Sequence, residues 1–472
     1  MTRLRVFFEQ RAVGTIDIDK DGPSFSYDPE WIKLRGAFPI STTMPLGSER
    51  IAPEIFLPWA ANLLPENEQL RTLGQLLGMA AGDVVGLLSA IGGDTAGALS
   101  IGQPGRIGSV LWRALEKPED LEKVIQELPN KPFLAGDEGV SMSLAGAQTK
   151  LAVALDDAGV ICIPTNGSPS THILKPDAPR LQGGVQNEAF CLTLARLMGL
   201  PTPDITTGKA GARSYLLVKR YDRTNASGRW RRLHQEDFCQ ALGKPPSAKY
   251  ESNHTGIVGP TLKDMFAVAR RHMPPTDVVR LLDMVVLNAL TCNTDAHAKN
   301  YAIMIRATGA SLAPTYDVMC GEAWEHVTKN LSQRIGGKSK LDDLNGGDWQ
   351  RFARACGLNP KQVIDRVDVL AQSVIANAAA AEAEVAAMPA GGHEILARAR
   401  AAVEGRANAI LAQLRELGDP VAETVLEDSV AAVSEPAAPL PRKPASQPRK
   451  PPRRKSEPRK PQRAPRKASA RR

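Results

Sequence analysis

A short polar island between two apolar stretches places the strongest limit on how this chain folds. The island runs from Thr291 to Asn300, TCNTDAHAKN, and the segment before it, LLDMVVLNAL, has the length and pattern of a buried helix. After it, YAIMI and SLAPTYDV predict two short strands with a turn at residues 308–310, the second strand ending on Asp317. Polar residues at the edge of a core are typical of an active site.

Within the island, Asp295 and Asn300 stand five positions apart. Kinase catalytic loops use this spacing, because the Asp orients or deprotonates the acceptor hydroxyl and the Asn holds a metal ion under the phosphates of ATP. The hairpin after such a loop delivers a second aspartate to Mg²⁺, here Asp317, although alone it is equally compatible with a turn carboxylate. One carboxylate and one amide are enough protein ligands for Mg²⁺ bound together with ATP, because the ion also keeps several water ligands. The ordered set therefore indicates phosphoryl transfer.

The segment upstream supplies a candidate phosphate loop and a lysine. SMSLAGAQTK, residues 141–150, consists mainly of small residues that let backbone N–H groups approach phosphate oxygens, but it matches neither the Walker loop nor the kinase glycine loop. Lys175 closes the strand HILK and would contact the phosphates, paired with Glu188 on the following helix. The alternative for Lys175 is a solvated strand end before Pro176.

Two further elements are candidates for ATP binding. The strand LLVKRYDR becomes polar, which suits a hinge whose backbone at Lys219 and Tyr221 meets the adenine edge. Tyr221 is otherwise an ordinary core or rim aromatic. His297, between Asp295 and Asn300, would either touch phosphate or fix the loop through hydrogen bonds, and the structural role is favoured.

Composition and the N-terminus predict a cytoplasmic protein. Six cysteines are scattered without a Cys-x-x-Cys pair, so neither a zinc site nor a disulfide framework is indicated. The N-terminus, MTRLRVFFEQRAVG, is too polar for a signal peptide, and no apolar run approaches the roughly 20 residues that span a bilayer. We expect no membrane association.

The net charge of +8 is unevenly distributed. Residues 441–472 hold 14 Lys and Arg against one acid, Glu457, and leave 45 basic against 50 acidic residues elsewhere. Because this segment is rich in Pro and nearly without apolar residues, it cannot offset its ordering entropy, and we expect disorder. It could bind nucleic acid by neutralising phosphates, or act only as a solubilising tail.

Short strands and helical patterns divide the chain into lobes. Residues 1–115 predict a small α+β unit, and residues 116–132, rich in charge and Pro, predict a linker. Residues 133–225 look like a strand-rich lobe with one helix, residues 226–418 are helical, and residues 419–472 form the tail. This order predicts an α+β, bilobal, protein-kinase-like fold with an N-terminal subdomain, a strand-rich nucleotide lobe, an all-helical C-terminal lobe and a disordered basic tail.

Taken together, these segments resemble the HipA family of bacterial serine/threonine kinases, the toxin halves of toxin–antitoxin pairs. The resemblance extends from about residue 3 to about residue 415. It includes the ordered blocks VGTIDI, NLLPENEQLR, SLAGAQTK, HILKPD, NEAF, RYDR, NTDAHAKN, PTYDV and RIGGK. So many blocks in one order make the resemblance far more specific than any single motif.

The resemblance implies a role for each matching position. Asp295 matches the catalytic aspartate, Asn300 and Asp317 match the Mg²⁺ ligands, and Lys175 matches the lysine that contacts ATP. The implied phosphate loop consists of Ala145, Gly146, Ala147, Gln148, Thr149 and Lys150. Ser143 falls where the family can carry an autophosphorylated serine whose modification pulls the loop out and switches the kinase off. A phosphate adds a charge of roughly −2, which bound nucleotide would repel.

The resemblance also implies partners. Family members phosphorylate aminoacyl-tRNA synthetases and are neutralised by a HipB-like helix-turn-helix antitoxin that represses the operon, so DNA is expected indirectly through the antitoxin or through the basic tail. The tail itself departs from the family pattern. Two alternatives remain open: a small-molecule phosphotransferase of the aminoglycoside type, which shares the Asp and Asn spacing, and a catalytically silent, DNA-associated partner of an antitoxin.

Overall fold

The computed structural model describes residues 2–415, so the predicted tail, residues 419–472, lies outside the described residues. The strands are β1 (Thr2–Phe8), β2 (Arg11–Asp19), β3 (Gly22–Tyr27), β4 (Leu99–Ile101), β5 (Trp112–Ala114), β6 (Leu151–Leu155), β7 (Ile161–Pro164), β8 (His172–Pro176), β9 (Ile205–Ala210), β10 (Arg213–Lys219), β11 (Arg223–Ala226), β12 (Arg229–Arg232), β13 (His234–Asp237), β14 (Ala302–Arg306), β15 (Gly309–Leu312), β16 (Asn330–Ile335) and β17 (Lys338–Lys340).

Twelve α-helices accompany these strands in the described part of the chain. They are α1 (Pro29–Ile32), α2 (Pro53–Ala61), α3 (Asn67–Leu77), α4 (Val84–Ile91), α5 (Pro118–Glu127), α6 (Gly184–Leu197), α7 (Phe238–Ala241), α8 (Leu262–His272), α9 (Pro275–Leu290), α10 (Gly346–Ala355), α11 (Pro360–Ala386) and α12 (Ile395–Arg415). Together with the strands they confirm the predicted α+β class.

The N-terminal region is a four-stranded antiparallel sheet in the order β3-β2-β1-β4. Alternate residues of these strands face inward, and Val6, Ile16 and Phe25 are fully buried. The Phe25 ring stacks on Phe56 of α2. This apolar core is continuous with that of the helical lobe. The N-terminal region is therefore packed into the rest of the protein, and the predicted domain boundaries stay a prediction.

The strand-rich lobe contains a six-stranded antiparallel sheet in the order β5-β7-β6-β8-β10-β9. Its strand β8 pairs with β10 so that Lys175 lies opposite Leu216. Helix α6 contacts β9 and β10 on one side and α11 and α12 on the other, which is why it is buried along most of its length. The sheet and α6 thus fix one wall of the cleft between the lobes.

The segment predicted as a linker, residues 116–132, contains a helix that the sequence analysis did not predict. Helix α5 begins with Pro118, whose missing N–H costs nothing in a first turn, and its residues Leu121 and Ile125 are buried. The many charged residues lie on its other positions and obscured this amphipathic spacing.

The C-terminal lobe is mainly helical. Besides the predicted hairpin it carries β13, β16 and β17, which the description as all-helical omitted. Strands β13, β14 and β15 form one antiparallel sheet, and β16 pairs with β17. The hairpin predicted after the polar island is present, closing at Arg306 and Gly309. Its second strand ends at Leu312 rather than at Asp317, because Pro314 has no N–H for a strand ladder.

Candidate active site

A buried lysine links two carboxylates at the inner wall of the cleft. Lys175 on β8 places its Nζ 2.6 Å from Glu188 Oε1 on α6 and 2.7 Å from Asp317 Oδ1. The Lys175 and Glu188 side chains are 8% and 2% exposed, whereas that of Asp317 is 28% exposed toward the cleft. The predicted pairing of Lys175 with Glu188 is confirmed.

Electrostatics keep Lys175 and Asp317 charged, whereas burial raises the pKa of Glu188 although the Lys175 ammonium opposes that shift. Burial alone would lower the pKa of Lys175, but the Asp317 and Glu188 carboxylates outweigh it and raise the pKa. Burial likewise opposes ionisation of Asp317, yet the nearby Lys175 and Lys150 hold its pKa well below the usual range. Asp317 also adopts a left-handed backbone with φ of 58°, a costly conformation typical of functional positions.

The polar island turns sharply after α9 and presents Asp295 to the cleft. Asn300, in the 3-10 turn Ala298–Asn300, donates its Nδ2 to the Asp295 carbonyl oxygen at 2.8 Å. The Tyr250 hydroxyl donates to Asp295 Oδ1 at 2.6 Å. Asp295 is exposed, but the cleft walls partly desolvate it and raise its pKa, while the Tyr250 hydrogen bond acts in the opposite direction. The hydrogen bond from Asn300 therefore holds the two residues in a fixed arrangement within the loop.

The residues predicted to hold Mg²⁺ have a donor set that fits that ion. The amide nitrogen of Asn300 is used by the Asp295 carbonyl, which leaves the amide oxygen as the group for a cation. The lowered pKa of Asp317 keeps its carboxylate ionised. Among residues 2–415 no three His, Cys, Asp or Glu residues form a metal-binding cluster.

His297 lies beneath the loop as a neutral ring. Burial lowers its pKa to about 3, and the ring packs edge-on against Tyr250 at 5.2 Å between centroids. Its Nδ1 is buried and has no hydrogen-bond partner within the described residues. The ring lines the cleft, so both the structural role and a contact to phosphate stay predictions.

A second buried charge network, absent from the sequence-based prediction, supports the loop from the N-terminal region. Glu66 places Oε2 2.7 Å from Lys249 Nζ and Oε1 3.1 Å from Lys299 Nζ, and all three side chains are at most 10% exposed. Lys299 also contacts Asn62 Oδ1 at 2.9 Å. Although burial favours the neutral acid, the two ammonium groups lower the pKa of Glu66 to about 2. In the sequence, the one signal for this network was Lys299, a charged residue inside the polar island next to Asn300.

The predicted phosphate loop is folded against the N-terminal region. Gly146 adopts φ of 104°, and its carbonyl accepts from Glu66 N at 3.1 Å. Lys150 Nζ closes the loop on the Ala145 carbonyl at 2.8 Å, and a Cβ on Gly146 would lie 2.8 Å from that Nζ. Burial lowers the pKa of Lys150 to about 8. This loop therefore requires glycine at position 146.

Ser143 does not reach the cleft. Its side chain is fully buried, its hydroxyl donates to the Leu63 carbonyl at 2.6 Å, and its N–H donates to the Asp94 carbonyl at 3.0 Å. Phosphorylation of this hydroxyl would require the segment to leave its site. The predicted autophosphorylation stays a prediction.

The predicted hinge lies at the end of β10. Lys219 directs its side chain away from the cleft to Asp204 at 2.8 Å, and its N–H donates to the Asp204 carbonyl at 2.9 Å. The backbone N–H of Tyr221 has no hydrogen-bond acceptor among the residues that the structure describes. The Tyr221 ring packs 5.6 Å from Tyr316 and its hydroxyl donates to Gln235. The predicted contact of Tyr221 with the adenine edge stays a prediction.

One cavity of about 290 Å³ collects most of these groups. Thr149 and Ser143 are not part of its lining, and the remaining candidates are Ala145, Gly146, Ala147, Gln148, Lys150, Lys175, Lys219, Tyr221, Asp295, His297, Asn300 and Asp317. Residues from five separate parts of the chain thus face one space.

Within the described residues, no helix is both long and apolar enough to cross a membrane.

Comparison with known families covers most of the described chain. Residues 4–102 match the HipA N-terminal domain, and residues 142–378 match the HipA-like C-terminal domain. The second match contains the phosphate loop, Lys175, Asp295, Asn300 and Asp317.

Individual relatives and a solved structure agree with these matches. A putative kinase, Y4mE, of Sinorhizobium fredii is 37% identical over 383 residues, which is 78% of this chain and 89% of that protein. The serine/threonine-protein kinase toxin HipA of Shewanella oneidensis is 29% identical over 377 residues, covering 77% of this chain and 85% of that protein. A Shewanella oneidensis chain solved in a complex of HipA, HipB and operator DNA superposes with a TM-score of 0.75 and 28% identity, covering 88% of this chain and 98% of that one.

Proposed function

This chain belongs to the HipA family, and from that membership we propose that it is an ATP- and Mg²⁺-dependent protein serine/threonine kinase. The observation that carries the proposal is the link from Lys175 to both Glu188 and Asp317, at 2.6 and 2.7 Å, in the same cavity as Asp295. A lysine held by a helix glutamate and facing a metal-binding aspartate is the arrangement that an active kinase needs.

In this proposal Asp295 acts on the acceptor. Its carboxylate orients the serine or threonine hydroxyl and takes the proton as the oxygen bonds to the γ-phosphorus and the bond from that phosphorus to the bridging oxygen of ADP breaks. A raised pKa suits this role, because a more basic carboxylate accepts a proton more readily. Tyr250 holds one carboxylate oxygen at 2.6 Å and leaves the other for the acceptor.

The remaining groups hold the nucleotide. Lys175 contacts the phosphates, the N–H groups of residues 145–150 surround them, and the backbone of Lys219 and Tyr221 meets the adenine edge. Asn300 and Asp317 would hold Mg²⁺, which when bound supplies positive charge to the phosphate oxygens. Transfer then depends on positioning and charge neutralisation.

The test is incubation of the purified wild-type protein and the Asp295→Asn variant with labelled ATP and Mg²⁺, followed by mass spectrometry of modified peptides. Label in wild-type protein or in an added protein substrate, and none with the variant, supports the proposal. Equal labelling by both proteins contradicts the role of Asp295. Label that appears only in small metabolites favours the aminoglycoside-type alternative.

We further propose that the chain is a toxin with two kinds of protein partner. The Shewanella oneidensis relative was solved with HipB and operator DNA, so we expect a HipB-like helix-turn-helix antitoxin that brings this chain to DNA indirectly. Co-purification with the product of a neighbouring helix-turn-helix reading frame tests this. The family resemblance supports an aminoacyl-tRNA synthetase as substrate, which is tested by adding purified synthetases to the labelling reaction.

A further inference from the structure

A second, larger cavity opens on the other side of Asp295. It measures about 860 Å³, within the range of binding pockets, and we call it the acceptor groove. Its lining comes from residues 250–258, 293–295, and 319–332, with Leu181 at one edge. It shares Leu181, Asn293, Asp295 and Met319 with the nucleotide cavity. A group bound in the groove therefore meets the catalytic carboxylate from the side away from the phosphate loop.

Exposed apolar side chains line this groove. Ile257 and Val258 are 42% and 77% exposed and neither belongs to the apolar cores of the described chain. Trp324 and Leu331, each partly buried on the main core, also line the groove. Single exposed apolar residues are normal, but adjacent ones that share a groove with others mark a binding surface.

The loop that carries Ile257 and Val258 is held in place by its own hydrogen bonds. Asn253 donates Nδ2 to the carbonyls of Tyr250 and Ile257, both at 3.1 Å, and Ile257 N donates to Thr255 Oγ1 at 3.2 Å. A Cβ on Gly259 would lie 2.0 Å from the Tyr250 carbonyl, so only glycine allows this closure. The apolar pair is therefore fixed relative to Tyr250, which contacts Asp295 directly.

The charges of the groove favour an uncharged acceptor segment. Its lining contains no Lys or Arg within the described residues, and the Arg334 guanidinium beside it contacts Ser252 Oγ at 3.2 Å and Glu251 Oε1 at 3.8 Å. Its carboxylates are Asp295 and Glu251, and Glu251 already accepts from Arg334 N at 2.7 Å. A polycationic amino sugar would find little to neutralise its ammonium groups.

We propose that the acceptor groove binds a segment of a protein substrate that has an apolar side chain within two residues of the phosphorylated Ser or Thr. The inference rests on the proposed kinase function and names the substrate class of the same site. The apolar side chain packs on Ile257, Val258 and Trp324 while the hydroxyl reaches Asp295. Burying such a side chain removes apolar surface from water, so substrates that carry it at this position are favoured.

The probe is a set of peptides with a central Ser or Thr in which each flanking position is varied through all residue types. Wild-type protein, Val258→Asp and Val369→Asp each receive the set with labelled ATP and Mg²⁺. Val369 is a matched control, since it is 53% exposed on α11 and lies outside the groove. Melting temperature and ATP affinity are measured for all three, to separate altered selection from altered folding.

We expect apolar residues to be preferred at least fivefold at one or two adjacent positions by wild-type protein and Val369→Asp. In Val258→Asp that preference should fall below twofold, with Lys or Arg gaining at the same position. An unchanged preference in Val258→Asp, or no apolar preference in wild type, overturns the inference. Label on protein but on no peptide also overturns it and leaves the kinase proposal intact, whereas no label anywhere, with ATP bound, counts against the kinase proposal itself.

Discussion

The two sides of Asp295 differ in how they are built. On the nucleotide side, buried charges hold one another: Lys175 lies between Glu188 and Asp317, and Glu66 lies between two lysines. On the acceptor side apolar side chains are exposed, as at Val258, which is 77% exposed, and no Lys or Arg of the described residues lines the groove.

This difference matches what each side is proposed to bind. The nucleotide site always binds the same ligand, so charges that are already fixed in one geometry favour binding. Such charges are expensive to bury and destabilise the protein strongly when one partner is removed. Protein acceptors vary, and apolar contact tolerates variation because it has no fixed direction. Substitutions on the nucleotide side should therefore cost more than those on the acceptor side.

The largest effect is expected at Asp295, which both sides share. Asp295→Asn keeps the size of the side chain but removes the proton acceptor, so the rate of phosphoryl transfer should fall by about a thousandfold. Melting temperature and ATP affinity should stay near wild type, because Asp295 is exposed. Labelled-ATP kinetics measure the rate, with exposed Asp157→Asn as control. A fall in the rate of phosphoryl transfer of less than tenfold would contradict the proposed role of Asp295.

The next effect is expected in stability, at the buried charge network. Glu66→Gln leaves Lys249 buried without its carboxylate and Lys299 with only Asp237, 3.9 Å away, which should lower the free energy of unfolding by about 3 kcal/mol. Denaturant unfolding at pH 7 measures this. Glu68→Gln, at an exposed position two residues away, is the matched control and should change stability by less than about 0.5 kcal/mol.

The same network predicts a pH dependence. The pKa of Glu66 falls from 4.5 to about 2 on folding, so its contribution is fully present above pH 4.5 and is lost as the pH falls toward 2. Over that range the stability difference between wild type and Glu66→Gln should shrink. A difference that stays constant with pH would show that the loss comes from packing and not from charge.

A smaller effect is expected at the phosphate loop. Gly146→Ala introduces a Cβ 2.8 Å from Lys150 Nζ and displaces that ammonium from the Ala145 carbonyl, so ATP affinity should fall about tenfold. Gly159→Ala shares the left-handed backbone, with φ of 80°, but its Cβ meets nothing within 4 Å. Both variants should lose similar stability, about 1 kcal/mol, from backbone strain. Equal ATP affinity in the two variants would contradict a nucleotide-binding role for the loop.

Local sequence patterns predicted those site residues that lie within known kinase motifs. Lys175 and Glu188 were paired correctly because a strand lysine followed by a helix glutamate is a known local order. Glu66 had no such signal, since its partners Lys249 and Lys299 are 183 and 233 residues away and only the tertiary fold joins them. The acceptor groove was missed for a similar reason, because exposed Ile257 and Val258 read in sequence as an ordinary apolar dipeptide.

The smallest effect is expected at Tyr250, on the acceptor side. Tyr250→Phe keeps the ring that packs on His297 but removes the hydrogen bond to Asp295 Oδ1. Partial burial already raises the pKa of Asp295, and the Tyr250 hydroxyl opposes that shift by stabilising the carboxylate. Its loss should raise the pKa further, so the acidic limb of kcat/KM against pH should move upward by less than about one unit. Above that limb the rate should fall only a few fold, with ATP affinity unchanged. A limb that moves to lower pH, or a loss as large as that of Asp295→Asn, would mean that the acceptor side also depends on fixed polar geometry.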